Sequence, residues 1–207
     1  MAKVSKVQHP EASAPDNSVH PLTRDEWRHW LAANHDKANN VWLITYKKAT
    51  GKPTFSYEEA VEEALCFGWI DSLPRKLDHE RKMLYFAPRK AGSGWSRPNK
   101  ERVERLMTGE KMMPAGLDKV DAAKADGSWT ALDDIENLVI PEDLAAAFAA
   151  LPPAAANWEA FPRSVKRGIL EWIATAKRAT TRAKRIQETA QQAQQNERAN
   201  QWKGRSS

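Results

Sequence analysis

The hydrophobic period of this chain changes once, near residue 96, and that change limits the fold more than any motif does. Before it, helix-like and strand-like patterns alternate; after it, every apolar pattern has the helical period. "LTRDEWRHWLAANH" puts Trp27, Trp30, Leu31 and Asn34 on one face of a helix. That helix opens with a capping box, Thr23 to Glu26, and Leu22 stands where it can staple onto Trp27. "VWLITYKK" is β-branched and aromatic and predicts a strand over Val41–Lys47. Ser56 and Glu59 form a second capping box ahead of a helix with a predicted buried stripe of Tyr57, Ala60, Val61, Ala64 and Leu65. Gly68 is placed to close it as a left-handed cap. Extended runs at about Ser72–Leu77 and Lys82–Ala87, joined by "DHER", predict an antiparallel hairpin. Helix–strand–helix–strand–strand is a small α+β unit.

The remainder reads as a helical module. Ser96 or Arg97 starts a helix with Pro98 in its first turn. "PAGLDKVDAAKADG" is a second, stopped by Gly127, and "PEDLAAAFAALPP" a third, bounded by prolines. Ser164 then caps "VKRGILEWIATAK", and a last, Gln-rich helix runs from roughly Thr181 to Ala199. The expected division is a disordered leader at 1–20, an α+β unit at 21–111, a helical module at 112–189, and a polar, flexible tail at 190–207.

The blocks "ALCFGWID", "APRK…WS..N..RVE.L" and "WI..AK…TR..RI" together closely resemble the YdeI/OmpD-associated family, whose members are labelled bacteriocin-protection proteins. The likeness runs from about Trp27 to Ile186. It implies a small α+β unit followed by a helical module, of the same broad class as the YdhG-like folds. It supplies no catalytic assignment, because the family has no established biochemical activity.

Chemistry-bearing patterns are sparse. The single cysteine, Cys66, excludes an internal disulfide and reads as a small core side chain. The five histidines are scattered with no metal-ligand spacing, so no metal site is expected. No nucleophile elbow, GxGxxG or Walker motif appears, and no cofactor is expected. The polar first twenty residues and the lack of any membrane-length apolar run make a cytoplasmic protein, without membrane insertion, the default expectation.

The net charge of +5 is patterned: residues 70–111 carry 11 Lys/Arg against 6 Asp/Glu, 112–160 carry 2 against 9, and 161–207 carry 11 against 3. In the first basic zone, "PRKAGSGWSRPNK" combines a glycine-bearing loop, a helix start and nearby cations, which is a recipe for anion binding. The candidate ligand residues are Arg89, Trp95, Ser96, Arg97 and Asn99, with Asp71 and Arg75 close in sequence. Asp71 reads first as a backbone acceptor in the turn or as the partner of a nearby Arg, and second as a ligand anchor or acid/base. In the second zone, Arg178, Arg182 and Arg185 share a helical face and could meet phosphates or serve internal contacts.

These features point first to a non-enzymatic accessory or stress-related protein that binds a small anionic ligand or a protein partner. An enzyme on a small anionic substrate, with Asp71 as acid or base and Arg89 and Arg97 as clamps, is the second reading. A nucleic-acid-binding protein using the C-terminal arginines is the third.

Overall fold

Local capping sets where the first helices begin. The computed structural model describes residues 13–201. Helix α1 spans Arg24–Asn34, and the Thr23 hydroxyl accepts from the Glu26 N–H. Glu26 reaches past Thr23 to the Leu22 N–H at 2.7 Å. Leu22 itself is 39 % exposed, so it is not the expected staple. Helix α2 spans Tyr57–Cys66 with its capping box complete, Ser56 and Glu59 each accepting the other's backbone N–H.

Along α2, Ala60, Val61, Ala64 and Leu65 are buried as expected, whereas Tyr57 is 49 % exposed. The buried stripe also holds a carboxylate, Glu63, gripped by Arg24 at 2.5 Å and Arg28 at 2.6 Å from α1. Two guanidiniums compensate the burial of that charge and tie α1 to α2. Gly68 follows at φ +74°, and a Cβ there would lie 2.7 Å from the Ala115 carbonyl oxygen. Glycine is therefore required by both backbone sign and space.

Four strands form one sheet in the order β1-β2-β4-β3: Ser18–Val19, Val41–Tyr46, Arg81–Pro88 and Trp69–Lys76 respectively. The β3–β4 and β2–β4 pairs are antiparallel, and β1 runs parallel to β2. Residues 1–12 of the expected leader lie outside the described residues. Ser18 and Val19, also assigned to it, instead pair with Trp42 and Leu43 along the edge that β2 would otherwise leave open. In β3 a bulge separates two stretches of regular pairing: Asp71 faces Phe86 and Pro74 faces Leu84, three steps on one strand against two on the other.

Helices α3, Arg97–Thr108, and α4, Pro114–Asp126, follow. The Met113 N–H donates to the Cys66 carbonyl at 3.0 Å. At Gly116 an added Cβ would sit 2.7 Å from the Leu65 carbonyl oxygen. Helix α4 thus docks backbone-to-backbone on the end of α2. By its contacts the chain divides into residues up to Gly94 with Pro98–Trp129, and Trp95–Arg97 with Thr130 onward. The expected boundary at 111/112 differs because periodicity cannot show which neighbour a helix packs on.

The second unit is helical: α5 Asp133–Glu136, α6 Glu142–Ala149, α7 Ala154–Ala160, α8 Arg163–Ala174 and α9 Ala179–Gln194. Its core holds Leu144, Phe148, Trp158, Ile169 and Ile173. The short α5 and α7 carry too few turns to show a period and were not expected; Pro162, not Ser164, occupies the N-cap of α8. Over residues 190–201 the flexible-tail expectation is also corrected. Ala190, Ala193 and Ala199 are buried at 0–1 % exposure, and Asn157 donates to the Ala193 carbonyl at 2.9 Å. Small side chains let α9 approach its neighbours closely, so alanines that look featureless in the sequence are core. Trp202 lies outside the described residues. The fold class is α+β, a small sheet with helices followed by a helical module.

Candidate functional site

The sheet arranges side chains in rows, and the rows build a cavity. Opposed residues on antiparallel strands share a face, so Thr45, Lys82 and Lys76 form one row and Leu43, Leu84 and Pro74 the next. Phe55, Ser56, Tyr57 and Ala60, at the start of α2, close over them to leave a cavity of about 670 Å³. That volume suits a small organic molecule.

Polar groups stand at its two ends. At one, the Lys47 ammonium donates to the carbonyls of Asp78 and His79, at 2.8 Å each. The side chains of Lys76 and Lys82 are exposed there and have no hydrogen-bond or salt-bridge partner among the described residues. At the other end, the Tyr57 hydroxyl donates to Asp71 Oδ2 at 3.0 Å. Burial first, then the Asp71 charge and this hydrogen bond, push the Tyr57 phenol up to about 12. It therefore remains a donor at neutral pH. The β3 bulge brings Asp71 to this face: without the extra residue, Asp71 and Pro74 would point to opposite sides of the sheet.

Of the residues expected to bind ligand, Asp71 and Arg75 line the cavity and the other five do not. The Arg75 guanidinium lies 5.1 Å from the centre of the Trp42 ring, so its charge is engaged with a residue adjacent to Leu43, on the other face of β2. Arg89 is 6 % exposed and donates to the Gly94 carbonyl at 2.9 Å and the Ser93 carbonyl at 3.3 Å. Burial lowers its pKa to about 10. It clasps its own loop rather than facing solvent. Trp95 is 2 % exposed and offers no open stacking face, and Ser96 is half-buried. Arg97 donates to Asn137 Oδ1 at 2.6 Å, and Asn99 Oδ1 accepts from Arg102 at 2.7 Å.

The glycine-bearing loop does meet an anion, but the anion is internal. The Gly92 N–H donates to Asp126 Oδ2 at 3.1 Å, and the Ser128 N–H to Oδ1 at 2.9 Å. Hydrogen bonds from Ser128, then from the Gly92 N–H, hold the Asp126 carboxyl below the usual carboxylate range. A carboxylate 34 residues away was beyond local sequence reasoning.

Two of the three C-terminal arginines are likewise engaged, whereas the Arg178 side chain is exposed and has no hydrogen-bond or salt-bridge partner among the described residues. Arg182 grips Asp143 through two nitrogens, at 2.8 and 3.0 Å. Arg185 lies 4.9 Å over Trp172 and donates to the Trp172 carbonyl and Thr175 Oγ1. Among the described residues no group of three or more His, Cys, Asp or Glu could hold a metal ion, and no helix is long and apolar enough to cross a membrane. Sequence reasoning missed Tyr57, Lys47, Lys76 and Lys82 as wall residues. Residue-by-residue pairing of the predicted hairpin across "DHER" would set Lys76 opposite Met83; the observed register is one residue different and places Lys76 opposite Lys82.

Two comparisons bear on these units. Residues 137–196 match the family described as Bacteriocin-protection, YdeI or OmpD-Associated. Residues 19–119 match a different description, a Domain of unknown function (DUF8412). The resemblance expected from Trp27 to Ile186 is therefore found in the helical unit, and the "ALCFGWID" and "APRK" blocks fall in the other match. No curated protein and no solved structure matches the chain.

Proposed function

We propose that the first unit binds a small amphipathic anion in the cavity between α2 and the sheet, without catalysis. In this reading the chain is a cytoplasmic accessory protein of the stress- or bacteriocin-protection type. The cavity lining carries the binding part: Leu43, Phe55, Ala60 and Leu84 supply apolar wall, and Lys76 and Lys82 stand at one end without ion-pair partners among the described residues. Apolar contact fills such a site and a few convergent polar groups orient its occupant. The family match at residues 137–196 supports the protection-type role through its description. The buried free thiol of Cys66 suits a reducing compartment.

The Tyr57–Asp71 contact favours one alternative, an enzyme using Asp71 as acid or base, because a second titratable group lies in hydrogen-bond reach. General acid–base catalysis works best near the operating pH. Tyr57 is driven away from it, to about 12, and the proposed clamps Arg89 and Arg97 are directed at protein oxygens. Binding without turnover is the better fit.

Isothermal titration with decanoate tests this. One saturable site is expected in the wild type, and Leu84→Trp, which fills the middle row, should remove it while the melting temperature holds. No binding to the wild type, or undiminished binding to a folded Leu84→Trp variant, would overturn the reading.

A further inference from the structure

The cavity is bipolar along the strands, and its polarity specifies more than an acid. Lys82 and Phe86 mark the rows of Lys76 and Asp71 on β4, so the two polar ends are separated by four residues of strand. At ~3.4 Å per residue that is roughly 14 Å. Between them runs the apolar row of Leu43, Leu84 and Pro74. The far end offers an acceptor: one oxygen of Asp71 takes the Tyr57 hydroxyl, and a carboxylate has lone pairs for more.

Building on the anion-binding reading above, we infer that the ligand class is an elongated acid with a hydrogen-bond donor, hydroxyl or amine, at the end opposite its acid. The acid group pairs with Lys76 and Lys82. The chain lies across Leu43 and Leu84. The distal donor meets Asp71 beside Tyr57. A simple fatty acid leaves Asp71 facing an apolar chain end, which costs affinity because the carboxylate oxygen not bonded to Tyr57 is then desolvated without a donor. A distal hydroxyl removes that cost, so the site discriminates by what it would leave unsatisfied.

The experiment compares decanoate with 10-hydroxydecanoate by isothermal titration on the full chain. On the wild type the hydroxy acid should bind about tenfold more tightly, the order expected for one hydrogen bond to a charged group. In Asp71→Ala that preference should vanish, with decanoate binding at least as well as to the wild type. In Tyr57→Phe the preference should persist, because Asp71 keeps its acceptor oxygens. Lys76→Gln combined with Lys82→Gln should weaken both acids alike. If decanoate binds but the hydroxy acid gains nothing, the ligand-class inference fails and the anion-binding reading stands. If the preference survives in Asp71→Ala, Asp71 is not the acceptor and the inference fails. If neither acid binds the wild type, both fail. Should Asp71→Ala not fold, Asp71→Asn serves in its place, with loss of at least half the preference expected and an unchanged preference overturning the assignment.

Discussion

The two units treat basic charge in opposite ways. Residues 161–207 are the more basic by count, 11 Lys/Arg against 3 Asp/Glu, yet their described arginines, Arg178 apart, meet acids, carbonyls or rings of the same unit. Arg167 meets Glu136 and Glu171, Arg182 meets Asp143, and Arg185 lies over Trp172. Residues 70–111 carry fewer excess charges, but two of them, Lys76 and Lys82, stand beside a cavity without such partners among the described residues. Net charge along a segment therefore says little about a binding surface; what decides is whether acids of the same unit reach the cations. The acidic segment between the zones supplies Glu136 and Asp143 to the helical unit. It supplies Asp126 to the glycine-bearing loop as well, and leaves the cavity lysines alone.

The cores should prove alike where the charges differ. Trp69 and Trp158 are each 1 % exposed, one in each unit. Trp69→Ala and Trp158→Ala should each destabilise the protein by about 3–5 kcal/mol in chemical denaturation. A near-wild-type midpoint for either would show that its unit does not depend on a tryptophan-centred core.

Truncation after Thr189 should destabilise the helical unit by about 3 kcal/mol, from three buried methyl groups and the hydrogen bonds to Asn157. A melting curve unchanged from the full chain would return residues 190–201 to the status of a dispensable tail.

The charge comparison itself predicts a small but signed difference. Arg182→Ala should cost about 0.2–1 kcal/mol, as a partly exposed bidentate pair does. Lys76→Gln and Lys82→Gln should each stay within about ±0.5 kcal/mol. A destabilisation from either lysine variant larger than that from Arg182→Ala would break the comparison, because it would mean the lysines serve the fold.

The acid limb sharpens it further. Burial alone would raise the Asp78 carboxyl, but the Arg81 guanidinium and the N–H groups of Arg81 and Glu80 hold it down at about 2. A folded pKa below the unfolded one contributes stability that is present above about pH 4 and lost as pH falls toward 2. Asp78→Asn should flatten that stretch of the stability–pH profile. An acid limb as steep as that of the wild type would assign the loss to other carboxylates, such as Asp143 beside Arg182.

Much of the fold was legible because its signals are local. The Ser56–Glu59 box, the Gly68 and Gly127 stops and the hairpin each depend on residues within a few positions of one another, and each was readable in advance. The site was far less legible. Asp71 and Arg75 were named from sequence, yet Arg75 turns to Trp42, and Arg89 and Trp95 are buried. A cation reads the same in a sequence whether it meets solvent, a carbonyl or an aromatic ring.

By itself, the sequence determined element types, their caps and the α+β order, since backbone preference and hydrophobic period act over short separations. Only the tertiary structure decided which side of the sheet Asp71 occupies. Side chains alternate with a period of two, so one extra residue in β3 reverses every face beyond it. That bulge is visible only when β3 is laid against β4, and it is what puts a carboxylate at one end of the cavity and the lysines at the other.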